Sequence, residues 1–105
     1  MPTPHRPPPA ARRALKKLGA DIQYARKVRR LPLELVAERA STSRQTVARL
    51  ERGEEGIGIG VLAAVLQALG LEGRLADLVD PKFDETGQVL TANTFPERVR
   101  TGTKR

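Results

Sequence analysis

Two short amphipathic patterns lie next to each other between residues 31 and 53. The first, LPLELVAERA, places four apolar side chains on one side of a helix: Leu35, Val36, Ala37 and Ala40. In the second, SRQTVARLERG, Val47 and Leu50 are three residues apart and share a face. Ser43 is suited to cap the second helix, and Gly53 is suited to end it in the left-handed conformation. The pattern therefore predicts two helices joined by the small residues 40–42.

This arrangement is the helix-turn-helix layout, in which the second helix enters the major groove of DNA. The outward side chains of the second pattern suit that role. Arg44 and Arg49 can each bond guanine O6 and N7, Gln45 can pair with an adenine edge, and Ala48 can contact a thymine methyl group. The alternative interpretation is a solvated amphipathic helix without a partner.

A longer helical pattern precedes this motif, over residues 10–30. Five apolar residues recur at intervals of three and four: Leu15, Leu18, Ile22, Ala25 and Val28. Gly19 marks either a kink or the start of a helix. Basic residues fill the other faces, and we expect Arg29 and Arg30 to neutralise phosphates beside the groove. A membrane-surface helix is disfavoured because the apolar stripe is narrow and lacks Trp and Phe.

Two further helices are predicted after the motif. The glycine-rich stretch 53–60 is interpreted as a connector that tucks Ile57 and Ile59 into the core. The helix that follows, 61–69, is apolar on most sides, so it must be buried centrally or at a subunit contact, and Gly70 ends it. Four apolar residues mark a fifth helix: Leu71, Leu75, Leu78 and Val79. Pro81 stops this helix.

The two ends of the chain differ from this middle part. The proline-rich composition of residues 1–9, MPTPHRPPP, predicts a disordered arm. This arm could reach into a DNA groove, but we favour the alternative that it has no such role. Residues 10–80 are assigned to the DNA-binding domain. Residues 81–105 form a partly ordered C-terminal extension, compatible with one short helix over 84–92, that binds a partner or stabilises a dimer. Its aromatic side chains either pack back on the domain or anchor a partner.

Composition narrows the class of protein. A chain of 105 residues with 39% hydrophobic but only 3% aromatic residues favours a small all-α domain, and its marginal core makes a homodimer reasonable. The absence of cysteine fits a reducing cytoplasm, and the lone His5 has no companion metal ligands. No run is long and apolar enough for a bilayer. We find no nucleophile set or paired carboxylates, and expect neither an enzyme nor a cofactor.

Charge indicates a polyanionic partner. The net charge is +7, and residues 1–30 contain nine Lys and Arg against Asp21 alone, which gives +8. Residues 54–80 contain one basic and five acidic residues, which gives −4. A basic side for DNA and an acidic side for another partner are therefore expected.

Residues 18–71 resemble the Xre/Cro/C1-type helix-turn-helix family. The similar segments are LGADIQYARKVRRL, LELVAERA, SRQTVARLERG and VLAAVLQALGL, in the family's order and spacing. Within that family the chain is most similar to HipB-like antitoxins, which pair with HipA-like protein kinases. That narrower likeness depends on LADLVDPKFDETGQVL and FPERVR, over residues 75–100.

The resemblance implies a five-helix, lambda-repressor-like fold and a homodimer on an inverted-repeat operator in double-stranded DNA. It also implies autoregulation of the operon, a complex with a HipA-like serine/threonine kinase toxin, and a cytoplasmic, nucleoid-associated protein. By position, base contacts fall on Arg44, Gln45, Ala48 and Arg49. Phosphate contacts fall on Ser43, Thr46 and Arg52.

The chain departs from the family pattern at three positions. Pro32 replaces a capping Ser or Thr, Leu33 replaces a phosphate-binding Gln, and Ser41 replaces the turn glycine, so Ser41 must adopt a conformation that glycine tolerates better. For the kinase contact the candidates are residues of the C-terminal extension: Phe83, Leu90, Phe95, Arg98 and Arg100. Two alternatives remain: a free-standing regulator without a toxin, and an interaction module that has lost DNA binding.

Overall fold

The computed structural model describes residues 5–94, and all the secondary structure in this part of the chain is helical, as predicted. The helices are α1 (Pro9–Val28), α2 (Leu33–Arg39), α3 (Arg44–Glu51), α4 (Ile59–Ala68), α5 (Glu72–Ala76), a 3-10 helix (Pro81–Phe83) and α6 (Glu85–Thr94). The chain divides into two compact units, Met1–Leu75 and Ala76–Arg105. None of the helices between residues 5 and 94 combines the length and apolar character that a bilayer span requires.

The core of the first unit is aliphatic and joins α1, α2, α3 and α4. Its centre consists of Val36, Val47 and Val65, one from each of α2, α3 and α4, and all three have no solvent exposure. The other buried apolar residues are Ile22, Ala37, Ala40, Leu50, Leu66 and Leu69. Each fully buried aliphatic side chain stabilises the fold by about 1.5–3 kcal/mol, so this cluster holds the short α2 and α3 in place.

The local signals in the motif are confirmed. The Ser43 side chain caps α3 by accepting from the backbone N–H of Thr46 at 3.1 Å. Gly53 and Gly70 both have φ of +77°, in the left-handed region that glycine favours, after α3 and α4. Ser41 adopts φ of +56°, the conformation expected at the position where the family has glycine.

Three expectations about the first unit are wrong. Val28 is 54% exposed, because it lies six residues after Ile22 and therefore about 120° around α1 from the buried face. Gly19 does not start a helix; it lies buried within α1, which runs unbroken from Pro9 to Val28. Ile57 packs on the core, but Ile59, the first residue of α4, is 77% exposed.

The fifth helix is shorter than predicted. α5 ends at Ala76, and Leu78 and Val79 lie after it with exposures of 72% and 81%. The next element sets a limit on any longer helix: the Asp80 carboxylate accepts from the backbone N–H of Lys82 at 2.9 Å and caps the 3-10 helix. An N-capping residue has extended backbone, so the helical conformation cannot continue into Asp80.

Helix α1 approaches the end of α3 at two glycines. A Cβ atom on Gly19 would lie 2.6 Å from the carbonyl oxygens of both Leu50 and Glu51, and one on Gly53 would lie 2.6 Å from Cα of Lys16. These distances are shorter than any van der Waals contact allows. The crossing of α1 and α3 therefore requires the absence of a side chain at both positions.

A buried ion pair ties the same two helices together. Arg26 of α1 donates from Nε to Glu51 Oε2 at 2.6 Å and from Nη2 to Glu51 Oε1 at 3.0 Å. Arg26 Nη1 also donates to the Leu31 carbonyl at 3.0 Å, and Gln23 donates to Glu51 Oε1 at 3.3 Å. The hydrogen bond with Glu51 raises the pKa of Arg26, so the guanidinium stays charged. Hydrogen bonding of both partners offsets the cost of burying two charges.

Candidate nucleic-acid interface

Helix α3 presents a polar face to solvent and an apolar face to the core. Val47 and Leu50 are buried, whereas Arg44, Gln45, Arg49 and Arg52 are exposed. Thr46 and Ala48 are half-buried. The alternation has the 3.6-residue period of an amphipathic helix, so the apolar face anchors α3 and leaves the opposite face free for a partner.

The N-terminal end of α3 is well defined. Ser43 Oγ accepts the Thr46 backbone N–H and also lies 2.8 Å from Thr46 Oγ1, so two hydroxyl groups and one backbone donor are held together. Ser43 is exposed and Thr46 is half-buried. Unpaired N–H groups at the start of a helix favour a nearby negative charge, and a phosphate is suited to that position.

The turn before α3 sets its direction relative to α2. The turn closes through two hydrogen bonds, from Ser41 N to the Glu38 carbonyl at 3.1 Å and from Thr42 N to the Ala37 carbonyl at 2.9 Å. Because Ala37 and Ala40 are small and buried, α2 and α3 can approach closely at this turn. The two helices of the motif therefore form one packed unit.

Three of the arginines predicted to contact DNA, Arg44, Arg49 and Arg52, are each paired with a carboxylate in the same unit. Arg44 Nε lies 3.3 Å from Glu34 Oε2 across the two helices of the motif. Arg49 Nε donates to Glu54 Oε1 at 2.7 Å, and Arg52 donates to Glu54 Oε2 from Nε at 3.0 Å and from Nη2 at 2.9 Å. The sequence analysis did not identify Glu34 or Glu54 as part of this face, because both pairings depend on where the chain turns.

The ionisation of Glu54 is affected by Arg49 of α3 and by Arg52, the residue that follows α3. Hydrogen bonds from Arg49 and then Arg52 lower the pKa of the Glu54 carboxyl group. The carboxylate is therefore ionised throughout the neutral range. It leaves the surface around the end of α3 less positive than its two arginines alone would make it.

The remaining predicted phosphate contacts lie at the end of α1. Arg29 and Arg30 are both exposed, and Arg29 Nη1 donates to the Ala25 carbonyl at 2.9 Å. Arg30 has φ of +56°, which ends α1 and turns the chain towards α2. These two cations belong to the same compact unit as α3, so that unit carries both sets of predicted contacts.

The second unit contains part of the predicted partner surface. Phe83 and Leu90 are 72% and 57% exposed. The Gln88 amide donates to the carbonyls of Pro81 and Lys82 at 3.0 and 2.9 Å and so holds the 3-10 helix to α6. The other candidates, Phe95, Arg98 and Arg100, lie outside the described residues.

The fold and the exposed face of α3 define a class of protein. The model of the helix-turn-helix family, of the Xre/Cro/C1 type, matches residues 22–74, which is half of the chain. The chain belongs to this family, whose domain is a DNA-binding regulatory domain and not a catalytic one. It is a DNA-binding transcription regulator. No curated protein and no solved structure matches it significantly.

Proposed function

We propose that this regulator is a sequence-specific repressor that acts as the antitoxin of a type II toxin-antitoxin operon. It represses its own operon and restrains a HipA-like serine/threonine kinase in the cytoplasm, in association with the nucleoid. The observation that carries the DNA-binding part is the capped start of α3 with Arg44, Gln45 and Arg49 exposed on one polar face.

In this proposal α3 lies in the major groove and its exposed face reads base edges. The forks of Arg44 and Arg49 bond guanine, the amide of Gln45 bonds adenine, and Ala48 contacts a thymine methyl group. Phosphate contacts come from five side chains: Ser43, Thr46, Arg52, Arg29 and Arg30. A homodimer places two copies of α3 on half-sites about 34–36 Å apart, which matches an inverted repeat.

The antitoxin part is supported by the second unit and by the resemblance of residues 75–100. Phe83, Val89 and Leu90 are apolar and each is more than half exposed, which is unusual for three large side chains in a short segment. Exposed aromatic and aliphatic residues of this kind serve as anchors in protein interfaces. A kinase surface that covers them would shield them from water.

Replacing either Arg44 or Arg49 with Ala should reduce discrimination between the preferred duplex and random DNA by about 1–3 kcal/mol, because each substitution removes a bidentate base contact. The measurement is fluorescence anisotropy with a duplex enriched by the wild-type chain from a randomised pool. Arg74→Ala is the control, since Arg74 is an exposed cation on α5, outside the motif. Unchanged discrimination in both variants would remove α3 from base readout.

Removing residues 81–105 should leave DNA binding intact and abolish the kinase complex. The reason is that the first unit ends at Leu75 and contains the whole of α3 and its core. The test is co-purification with a kinase encoded next to this chain. A narrower variant, Phe83→Ser with Leu90→Ser, should weaken the complex more than Lys82→Ser. Two results would favour a free-standing regulator: a kinase that binds the truncated chain as well as the full chain, or the failure of any kinase to co-purify with the full chain.

A further inference from the structure

One carboxylate connects two arginines of the recognition helix. Glu54 follows Gly53, the residue that ends α3, and each of its oxygens accepts from a different guanidinium group: Oε1 from Arg49 at 2.7 Å and Oε2 from Arg52 at 2.9–3.0 Å. The Glu54 side chain is 38% exposed, so the pairing lies at the surface and next to the face of α3 assigned to DNA.

The two arginines use different edges of their guanidinium groups. Arg52 donates from both Nε and Nη2 to Glu54 Oε2, so the Nε–Nη2 edge of its guanidinium group is occupied. In the described part of the chain, the contact of Arg49 with Glu54 runs through Nε. This contact leaves the two terminal nitrogens of Arg49 as a fork. That end-on fork is the part of arginine that matches guanine O6 and N7.

We propose that Glu54 is a positioning residue that determines specificity by holding Arg49 with its terminal fork available for a guanine in the major groove. The inference depends on the proposed function and deepens it. Glu54 itself touches no base and acts through Arg49.

Two effects of Glu54 follow: phosphate repulsion acts on both kinds of DNA, whereas the orientation of Arg49 favours only the preferred duplex. An arginine that is already oriented loses less side-chain freedom when it binds, so the preferred duplex gains affinity. The same carboxylate repels phosphates, so random DNA, which is bound mainly through its backbone charge, loses affinity. The lowered pKa of Glu54 agrees with this account, because the carboxylate is then ionised at neutral pH.

A simpler account would give Glu54 only its negative charge. In that case its removal would strengthen binding to every duplex by the same factor. Glu55 makes this alternative testable, because it is the next residue and carries the same charge. Its carboxylate lies 3.6 Å from Arg6 Nε and forms no ion pair with Arg49 among the described residues.

The experiment compares the full-length wild-type chain with Glu54→Ala, Glu54→Asp and Glu55→Ala. Kd is measured for two duplexes of equal length: one enriched by the wild-type chain from a randomised pool, and one of random sequence. Each variant is first checked for an unchanged urea midpoint, so that folding does not contribute.

We expect Glu54→Ala to weaken binding to the enriched duplex, because the cost of ordering one long side chain, about threefold to tenfold, outweighs the gain from removing the charge. The same variant should bind random DNA up to about threefold more tightly. Glu54→Asp keeps the charge but is one methylene shorter, so it should weaken only the enriched duplex. Glu55→Ala should strengthen both complexes equally and leave their ratio unchanged.

A second readout locates the effect. In a panel of duplexes with one base pair replaced at a time, Glu54→Ala should lose preference at the same guanine as Arg49→Ala. Equal ratios for Glu54→Ala and Glu55→Ala, or lost preference at a different position, would overturn the inference alone. A wild-type chain that prefers no duplex would instead defeat the proposed function, and this inference with it.

Discussion

Arg26→Met should lower the free energy of unfolding by about 3–5 kcal/mol, which is the typical cost of removing one partner from a buried ion pair. Glu51 would remain in the core with its side chain only 3% exposed and would lose both hydrogen bonds from the guanidinium group. The Leu31 carbonyl would also lose its side-chain donor. Methionine fills most of the volume, so the loss comes from the charge and not from a cavity.

Urea denaturation followed by circular dichroism measures this effect. The control is Lys17→Met, which breaks an exposed ion pair with Asp21 of similar length, 2.6 Å, and should cost less than about 1 kcal/mol. The double variant Arg26→Met, Glu51→Leu removes both charges and should recover most of the loss. If Arg26→Met is as stable as the Lys17→Met control, the ion pair between Arg26 and Glu51 contributes little to the contact between α1 and α3.

Gly19→Ala should destabilise the fold by at least about 1–3 kcal/mol, the usual cost of overpacking. The added methyl carbon would meet backbone oxygens of Leu50 and Glu51 at 2.6 Å, and backbone atoms cannot rotate away as a flexible side chain can. Helix propensity alone would predict the opposite result, since Ala is favoured over Gly in a helix by about 1 kcal/mol. Packing and propensity therefore predict effects of different sign at this position.

Thermal denaturation of Gly19→Ala and Gly60→Ala separates the two effects. Gly60 lies in α4, and a Cβ atom there would have no neighbour within 4 Å, so Gly60→Ala should be neutral or stabilising. A Gly19 variant that behaves like the Gly60 variant would show that α1 and α3 can separate without cost.

Both predictions concern the support of the recognition helix. α3 has only eight residues, too few for a stable helix in isolation, so its position depends on tertiary contacts. Gly19 and Arg26 on α1 contact its C-terminal end, while Val36 on α2 packs in the same core as Val47. A variant that loosens α1 should therefore weaken base discrimination even though α1 contains none of the proposed base contacts.

The amino-acid sequence by itself determined the two helices of the motif and the ends of α3. Ser43 as a cap, Gly53 as a stop and the spacing of Val47 and Leu50 are local signals, so the boundaries of α3 could be predicted from neighbouring residues. The positive φ of Ser41 was expected from the family resemblance and not from local signals, because the family has glycine at that position. The exposed polar face of α3 followed from helical periodicity.

Only the tertiary structure decided which charges meet. Arg26 and Glu51 are 25 residues apart, and no periodic pattern indicates that a cation on α1 and an acid on α3 share the core. Glu54 appeared in the sequence merely as part of an acidic region, yet the turn at Gly53 brings it onto two arginines of α3. Periodicity reports one helix at a time, whereas the pairing of side chains depends on how several helices cross.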